Sequence, residues 1–208
     1  MQKSLAHELD QKAIKWGFKT YWNKDFLKLA DIDALNQTEQ DRIFNELVLA
    51  PEILIMVAFQ VWNKENIGDQ IAKEHTNFMK EIGVEKQYRK LWEKLINIRY
   101  QEYHQSKNNA RVAMIEFDSQ EKDVLASDIE DINTTLPPFA ISVLCHKHIL
   151  RGKTRGKDLL FKLIFKNLGR FYTDILVTIG GEKIKTTTKM KIKLRHLAND
   201  IKEKFTKN

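Results

Sequence analysis

An arginine and a histidine stand five positions apart in the segment Arg99-Tyr-Gln-Glu-Tyr-His104. A guanidinium can bind phosphate through two parallel hydrogen bonds, and an imidazole can transfer a proton near neutral pH. Together they could hold an RNA phosphodiester and promote attack by its 2′-hydroxyl without a metal ion. The segment therefore makes Arg99 and His104 a candidate catalytic pair. The alternative is that both side chains stand at the exposed end of a core helix, because a chain with six His can contain this spacing by chance.

The spacing Arg99-x4-His104 resembles the R-x4-H motif of the HEPN family of helical ribonucleases. The resemblance implies a helical protein that cleaves RNA without a metal, with Arg99 and His104 handling the phosphate and the 2′-hydroxyl. That family commonly has a polar residue after the arginine, where this chain has Tyr100.

Signals for a metal site are incomplete. Asp174 and Lys189 resemble part of the PD-(D/E)xK metal-dependent nucleases, but Thr187 stands where the second acid would be. Two carboxylates are needed to hold Mg²⁺ in such a site. On a helix, His146 and His148 would lie about 200° apart, which is poor for joint ligation. The sequence predicts no metal and no cofactor.

Apolar and basic residues alternate between Glu182 and Arg195, which as a β-strand would give one apolar face and one cationic face. The basic face would carry Lys183, Lys185, Lys189, Lys191, Lys193 and Arg195. Stacked like charges repel, so such a face favours open water or a polyanion. A helical spacing from Met190 to Phe205 competes for residues 189–194, and the alternation does not decide between strand and helix.

Charge is unevenly distributed along the chain. Residues 146–208 contain 17 Lys and Arg against 5 Asp and Glu, whereas residues 1–145 contain 18 against 23. This asymmetry favours an anionic partner for the C-terminal part, with nucleic acid or a membrane surface as the usual candidates. Because 27 of the 35 basic residues are Lys, a lysine-rich composition with a merely solvated basic face is the alternative.

The elements that would position these residues are mostly helices. Apolar residues recur at helical spacing from Leu5 to Tyr21 and again in several later segments. Thr38 is the expected cap of a helix, Pro51 the expected first residue of another, and Gly83 the expected stop of a third. The apolar run from Leu47 to Trp62 is too short and too polar to span a membrane, and is expected to be the central core helix.

The dipeptide Pro137-Pro138 marks the clearest internal boundary. It divides an acidic helical domain, residues 1–135, from a basic region, residues 136–208, although the two could pack as one domain. The basic region is predicted to contain helices over 139–150 and 158–171, then a hairpin of 174–179 with 182–188, then a closing helix. This order resembles that of winged helix-turn-helix DNA-binding domains. Lys162, Lys166 and Arg170 would form a basic stripe on the second helix.

The fold class expected is therefore mainly α, a helical bundle with a small C-terminal β-hairpin and a closing helix. With Cys145 as the single cysteine, a disulfide framework is excluded and a cytoplasmic setting is expected. Three functions remain open. The leading one is DNA or RNA binding through phosphate contacts, and the others are a ribonuclease and a protein-interaction or assembly module, including a homo-oligomer. Whether the protein is an enzyme stays open.

The predicted phosphate contacts all lie in the basic C-terminal region. They are Lys162, Lys166, Arg170, Lys183, Lys185, Lys189, Lys191 and Lys193.

Overall fold

The computed structural model describes residues 4–61, 67–120, 132–153 and 158–180, which form helices and their connections. In chain order these are α1 (Leu5–Tyr21), α2 (Lys24–Leu29), a 3-10 turn (Ile32–Ala34), α3 (Gln37–Val61), α4 (Ile67–Glu81), α5 (Lys86–Gln120), α6 (Ile132–Ile149) and α7 (Leu159–Gly180). No strand occurs within these ranges. The prediction of a mainly helical protein is confirmed.

Local capping explains several helix ends. Ser4 begins α1 by accepting a hydrogen bond from the His7 amide over 3.1 Å. At α3 the cap is Asn36, which accepts from the Glu39 amide over 3.0 Å, so the prediction of Thr38 was two residues late. Gly83 has φ of 84° after α4, and the Val84 amide donates to the Met79 carbonyl over 2.8 Å. The predicted glycine stop is confirmed as a Schellman-type ending.

Helix α3 is the centre of the bundle. It packs against α1, α4, α5, α6 and α7. Every side chain from Glu46 to Phe59 except Met56 is buried. Pro51 lies inside this helix and does not begin a new one, contrary to the prediction. An interior proline costs about 3 kcal/mol, and burial on all sides of α3 offsets that cost.

Helix α6 continues through both Pro137 and Pro138, which are buried, so these prolines do not interrupt the helix. Helices α6 and α7 pack against each other and against α3. The division of the chain into domains after residue 135 stays a prediction. None of the helices in the described ranges has both the length and the apolar content needed to cross a membrane.

The prediction of the first hairpin strand is wrong, because residues 174–179 belong to α7. Their β-branched side chains suit a strand, but Phe171, Ile175 and Ile179 follow one another at four-residue spacing and are all buried. They continue the inward face of the preceding helical turns, and packing therefore overrides local preference. The second strand, 182–188, and the closing helix fall outside the described residues.

Candidate functional sites

Both members of the predicted ribonuclease pair lie on α5 but point in different directions. Five residues of helix rotate the side-chain direction by about 140°. The Arg99 side chain is 15% exposed and turns to α3, where its Nε donates to Glu46 Oε2 over 3.0 Å. His104 is exposed, and its ring meets those of Tyr100 and Tyr103 at centroid distances of 4.6 and 5.2 Å. The pair shares a helix without facing a common point, and its catalytic role stays a prediction.

Arg99 belongs instead to a network of charges between α3, α5 and α6. Its Nη1 donates to Glu102 Oε2 over 3.1 Å, and the same oxygen lies 2.9 Å from His148 Nε2. The Arg42 guanidinium donates to the carbonyls of His148 and Ile149 at the end of α6. Arg99 neutralises the buried Glu46 carboxylate, and the network as a whole joins α3, α5 and α6. Glu102 therefore links Arg99 to the imidazole of His148.

The predicted basic stripe of α7 lies on the side of the helix opposite its core face. Lys166 is exposed and Lys162 and Arg170 are half-buried, whereas Leu160 and Ile164 are buried. Four-residue steps place neighbouring cations about 6 Å apart along the helix axis. The other five predicted phosphate contacts, Lys183, Lys185, Lys189, Lys191 and Lys193, lie outside the described residues.

A third site was not anticipated by sequence reasoning. Asp10 of α1, Glu52 of α3 and His75 of α4 meet in the core, with exposures of 0%, 0% and 4%. His75 Nδ1 lies 2.9 Å from Asp10 Oδ1 and 2.6 Å from Glu52 Oε1. Trp92 of α5 stacks on the imidazole with ring centroids 4.6 Å apart and planes 15° apart. We call Asp10, Glu52 and His75 the buried triad.

Burial and mutual charge set the ionisation of the buried triad. Burial alone would lower the pKa of His75, but the charge of Glu52 and the hydrogen bond to Asp10 outweigh it and raise the pKa to about 10. Burial raises the pKa of Glu52, although the positive charge of His75 opposes the shift. The Trp92 indole N–H also lowers the pKa of Glu52 slightly, but it is not aligned into a hydrogen bond and has no acceptor among the described residues. The triad can hold protons or a cation, and it presents no surface to a substrate.

The triad could have been suspected from one local signal. Each of its members falls on the apolar face of its helix, as Glu52 does within the run from Leu47 to Trp62. A charged residue at a core position is rarely buried unless it is paired. The sequence gives no indication, however, that these three positions meet, since they come from three helices.

Comparison of the chain with protein-family models, with curated proteins and with solved structures gave no match.

Proposed function

We propose that the protein binds DNA or RNA by contacting phosphates through its basic C-terminal region. The observation that carries the proposal is the stripe of Lys162, Lys166 and Arg170 on the outer side of α7. Cations in line along a rigid helix can meet successive phosphates of a nucleic acid backbone without reading its bases. Lysine is a point charge suited to phosphate in general, so binding is expected to show little sequence preference.

The charge of the surrounding sequence supports this proposal. Residues 146–208 carry 17 Lys and Arg against 5 Asp and Glu, so the stripe belongs to the most basic part of the chain. A polyanion approaching this region gains from long-range attraction as well as from direct contacts. Such binding releases counterions and must therefore weaken as salt concentration rises.

The test is fluorescence anisotropy with labelled single-stranded RNA and double-stranded DNA of mixed sequence, over a range of salt concentrations. We expect log K to fall linearly with log salt, with a slope of about −0.9 for each phosphate contacted on duplex DNA. The triple variant K162Q/K166Q/R170Q should reduce the magnitude of this slope by about 2 to 3. Binding that is absent, or that does not change with salt, would overturn the proposal.

The chain offers a matched control on α5. Lys86, Lys90 and Lys94 have the same four-residue spacing and are exposed, but they lie in the acidic part of the sequence. The variant K86Q/K90Q/K94Q removes the same net charge and should leave both the affinity and the salt slope close to wild type. Equal losses in the two triple variants would mean that overall charge, and not the α7 stripe, determines binding.

A second candidate function, self-assembly, is favoured by an apolar stripe on α5. Tyr88, Leu91 and Ile98 are 54%, 57% and 52% exposed, and the half-buried Leu95 lies between the last two. Their successive spacings of three, four and three residues are those of a coiled-coil seam. A second copy of the chain carries the same stripe, so two copies could pair about a two-fold axis.

Light scattering after gel filtration tests this second candidate. The wild type should have the mass of a dimer, and Leu91→Glu should convert it to a monomer by placing a charge in the seam. Leu159→Glu is the control, because Leu159 is 67% exposed at the beginning of α7, away from the seam. A monomeric wild type would rule out assembly through α5.

A further inference from the structure

The buried triad has fewer hydrogen-bond donors than its oxygens require. His75 Nδ1 can carry one proton and lies within 3 Å of two carboxylates, at 2.9 Å from Asp10 and 2.6 Å from Glu52. Its aligned hydrogen bond goes to Asp10. No described residue forms a hydrogen bond with either oxygen of Glu52 or with Oδ2 of Asp10, all of which are buried. Oxygens in this state are costly in a protein core, so the triad is electrostatically incomplete.

The geometry of the triad is close to that of a metal site. One ligand atom from each side chain lies within 4.8 Å of the other two. Ligands bound about 2.1 Å from a tetrahedral ion stand about 3.4 Å apart, so the shortest contacts would need to open by less than about 1 Å. The side chains project from α1, α3 and α4, and the stacked Trp92 holds the imidazole plane in place.

We propose that Asp10, Glu52 and His75 bind a divalent first-row transition metal ion such as Zn²⁺ or Mn²⁺. Two carboxylates and a neutral imidazole carry two negative charges, which a divalent ion balances inside the core. The imidazole nitrogen favours these ions over Ca²⁺, which takes oxygen ligands. Mg²⁺ is disfavoured because it dehydrates reluctantly and binds oxygen ligands in preference to an imidazole nitrogen.

The ion has a structural role, because none of its ligands is available to a substrate. It joins three helices that otherwise meet through their apolar faces, so metal binding and folding are linked. This site is separate from the basic stripe of α7, and the inference does not depend on nucleic-acid binding.

The test uses the full chain, first stripped with a chelator and then incubated separately with Zn²⁺, Mn²⁺, Mg²⁺ or Ca²⁺. After desalting, we expect about one Zn²⁺ or Mn²⁺ per chain by mass spectrometry of the metal. In a separate measurement with the metal present at a 100-fold excess over Kd, Tm should increase by roughly 5–10 °C. Mg²⁺ and Ca²⁺ should produce neither effect. If neither Zn²⁺ nor Mn²⁺ is retained and Tm does not change, the inference is overturned and the triad holds protons only.

Two variants locate the ion. Glu52→Gln preserves side-chain size but removes a ligand charge, and it should abolish both metal retention and the Tm increase. Glu74→Gln removes a carboxylate next to His75 whose side chain is 29% exposed and whose partner is His7, so it should keep both effects. Wild-type retention in Glu52→Gln would overturn the inference by placing the ion elsewhere. Asp10→Asn provides a second ligand deletion if Glu52→Gln does not fold.

Discussion

Replacing Arg99 with methionine should destabilise the protein strongly, because it leaves a core carboxylate without its cation. Glu46 is 5% exposed and accepts hydrogen bonds from both Nε and Nη2 of Arg99. Arg99 is its one ion-pair partner among the described residues. Breaking a buried pair from one side costs about 3–5 kcal/mol. For a chain of this length the loss corresponds to a Tm decrease of about 6–20 °C.

Replacing the other partner of the ion pair, Glu46→Met, should reduce the free energy of unfolding by less. Arg99 would keep its contact with Glu102 over 3.1 Å, and its 15% exposed side chain could turn further toward water. We expect a loss of about 1–3 kcal/mol. The double variant R99M/E46M removes both charges and fills the space with apolar atoms. It should lose less than the sum of the single variants, by about 1–3 kcal/mol.

Urea unfolding of the four proteins, followed by far-ultraviolet circular dichroism, gives the coupling energy directly, provided that the m-values agree. Losses that add to within about 0.5 kcal/mol would refute the dependence of Glu46 on Arg99. RNA cleavage by Arg99→Met and His104→Ala tests the predicted ribonuclease alongside. His104 is exposed, so His104→Ala should fold normally. Equal cleavage by the wild type and His104→Ala, or no cleavage by the wild type, would exclude the pair as catalytic.

Three further predictions concern packing and titration. Gly17→Ala should lower stability by about 1–2 kcal/mol despite the better helix propensity of alanine, because the added Cβ would lie 2.6 Å from Val48 Cγ2. Gly169→Ala has open space around its added Cβ and should raise stability by up to about 1 kcal/mol in the same urea assay. Burial raises the pKa of Tyr103 to about 12, so its stabilising contribution is present below about pH 10 and is lost as pH rises toward 12. Burial also raises the pKa of Tyr21, so an ultraviolet titration should show more than one late-ionising tyrosine, and ionisation of every tyrosine near pH 10 would contradict the buried placement of Tyr103. Burial also raises the pKa of the Cys145 thiol, which should react with a disulfide reagent only on unfolding, so rapid reaction of the native protein would contradict the burial of Cys145.

Helices could be predicted from the sequence wherever the signals were local. The end of α4 at Gly83 is predicted correctly because a glycine that adopts φ of 84° ends a helix regardless of its distant neighbours. The predictions of a helix start at Pro51 and a strand over 174–179 are wrong because distant contacts, and not local signals, determine the conformation there. Their local preferences favour a helix start and a strand, but burial against other helices decides their conformation.

The candidate sites were less predictable than the helices, because their contacts join distant parts of the chain. Glu46 and Arg99 are 53 residues apart, and His75 meets Asp10 across 65 residues. A sequence motif relates only residues that are close together in the chain, and it therefore pairs Arg99 with His104 on the same helix. A charged residue on an apolar helix face indicates that a buried partner exists, but it does not identify that partner.

The central helix α3 carries two buried carboxylates whose environments differ in one decisive respect. Glu46 and Glu52 are six residues apart, so they point about 120° away from each other and meet different helices. Glu46 faces a guanidinium, which is permanently charged and has several donors for both carboxylate oxygens. Glu52 faces an imidazole whose Nδ1 proton is directed to Asp10, and its own oxygens remain without donors in the described structure. Only the second carboxylate therefore has a deficit that a divalent ion could fill. Removing the charge of Glu46 should destabilise the protein with or without metal, whereas removing that of Glu52 should abolish the metal-dependent part of its stability.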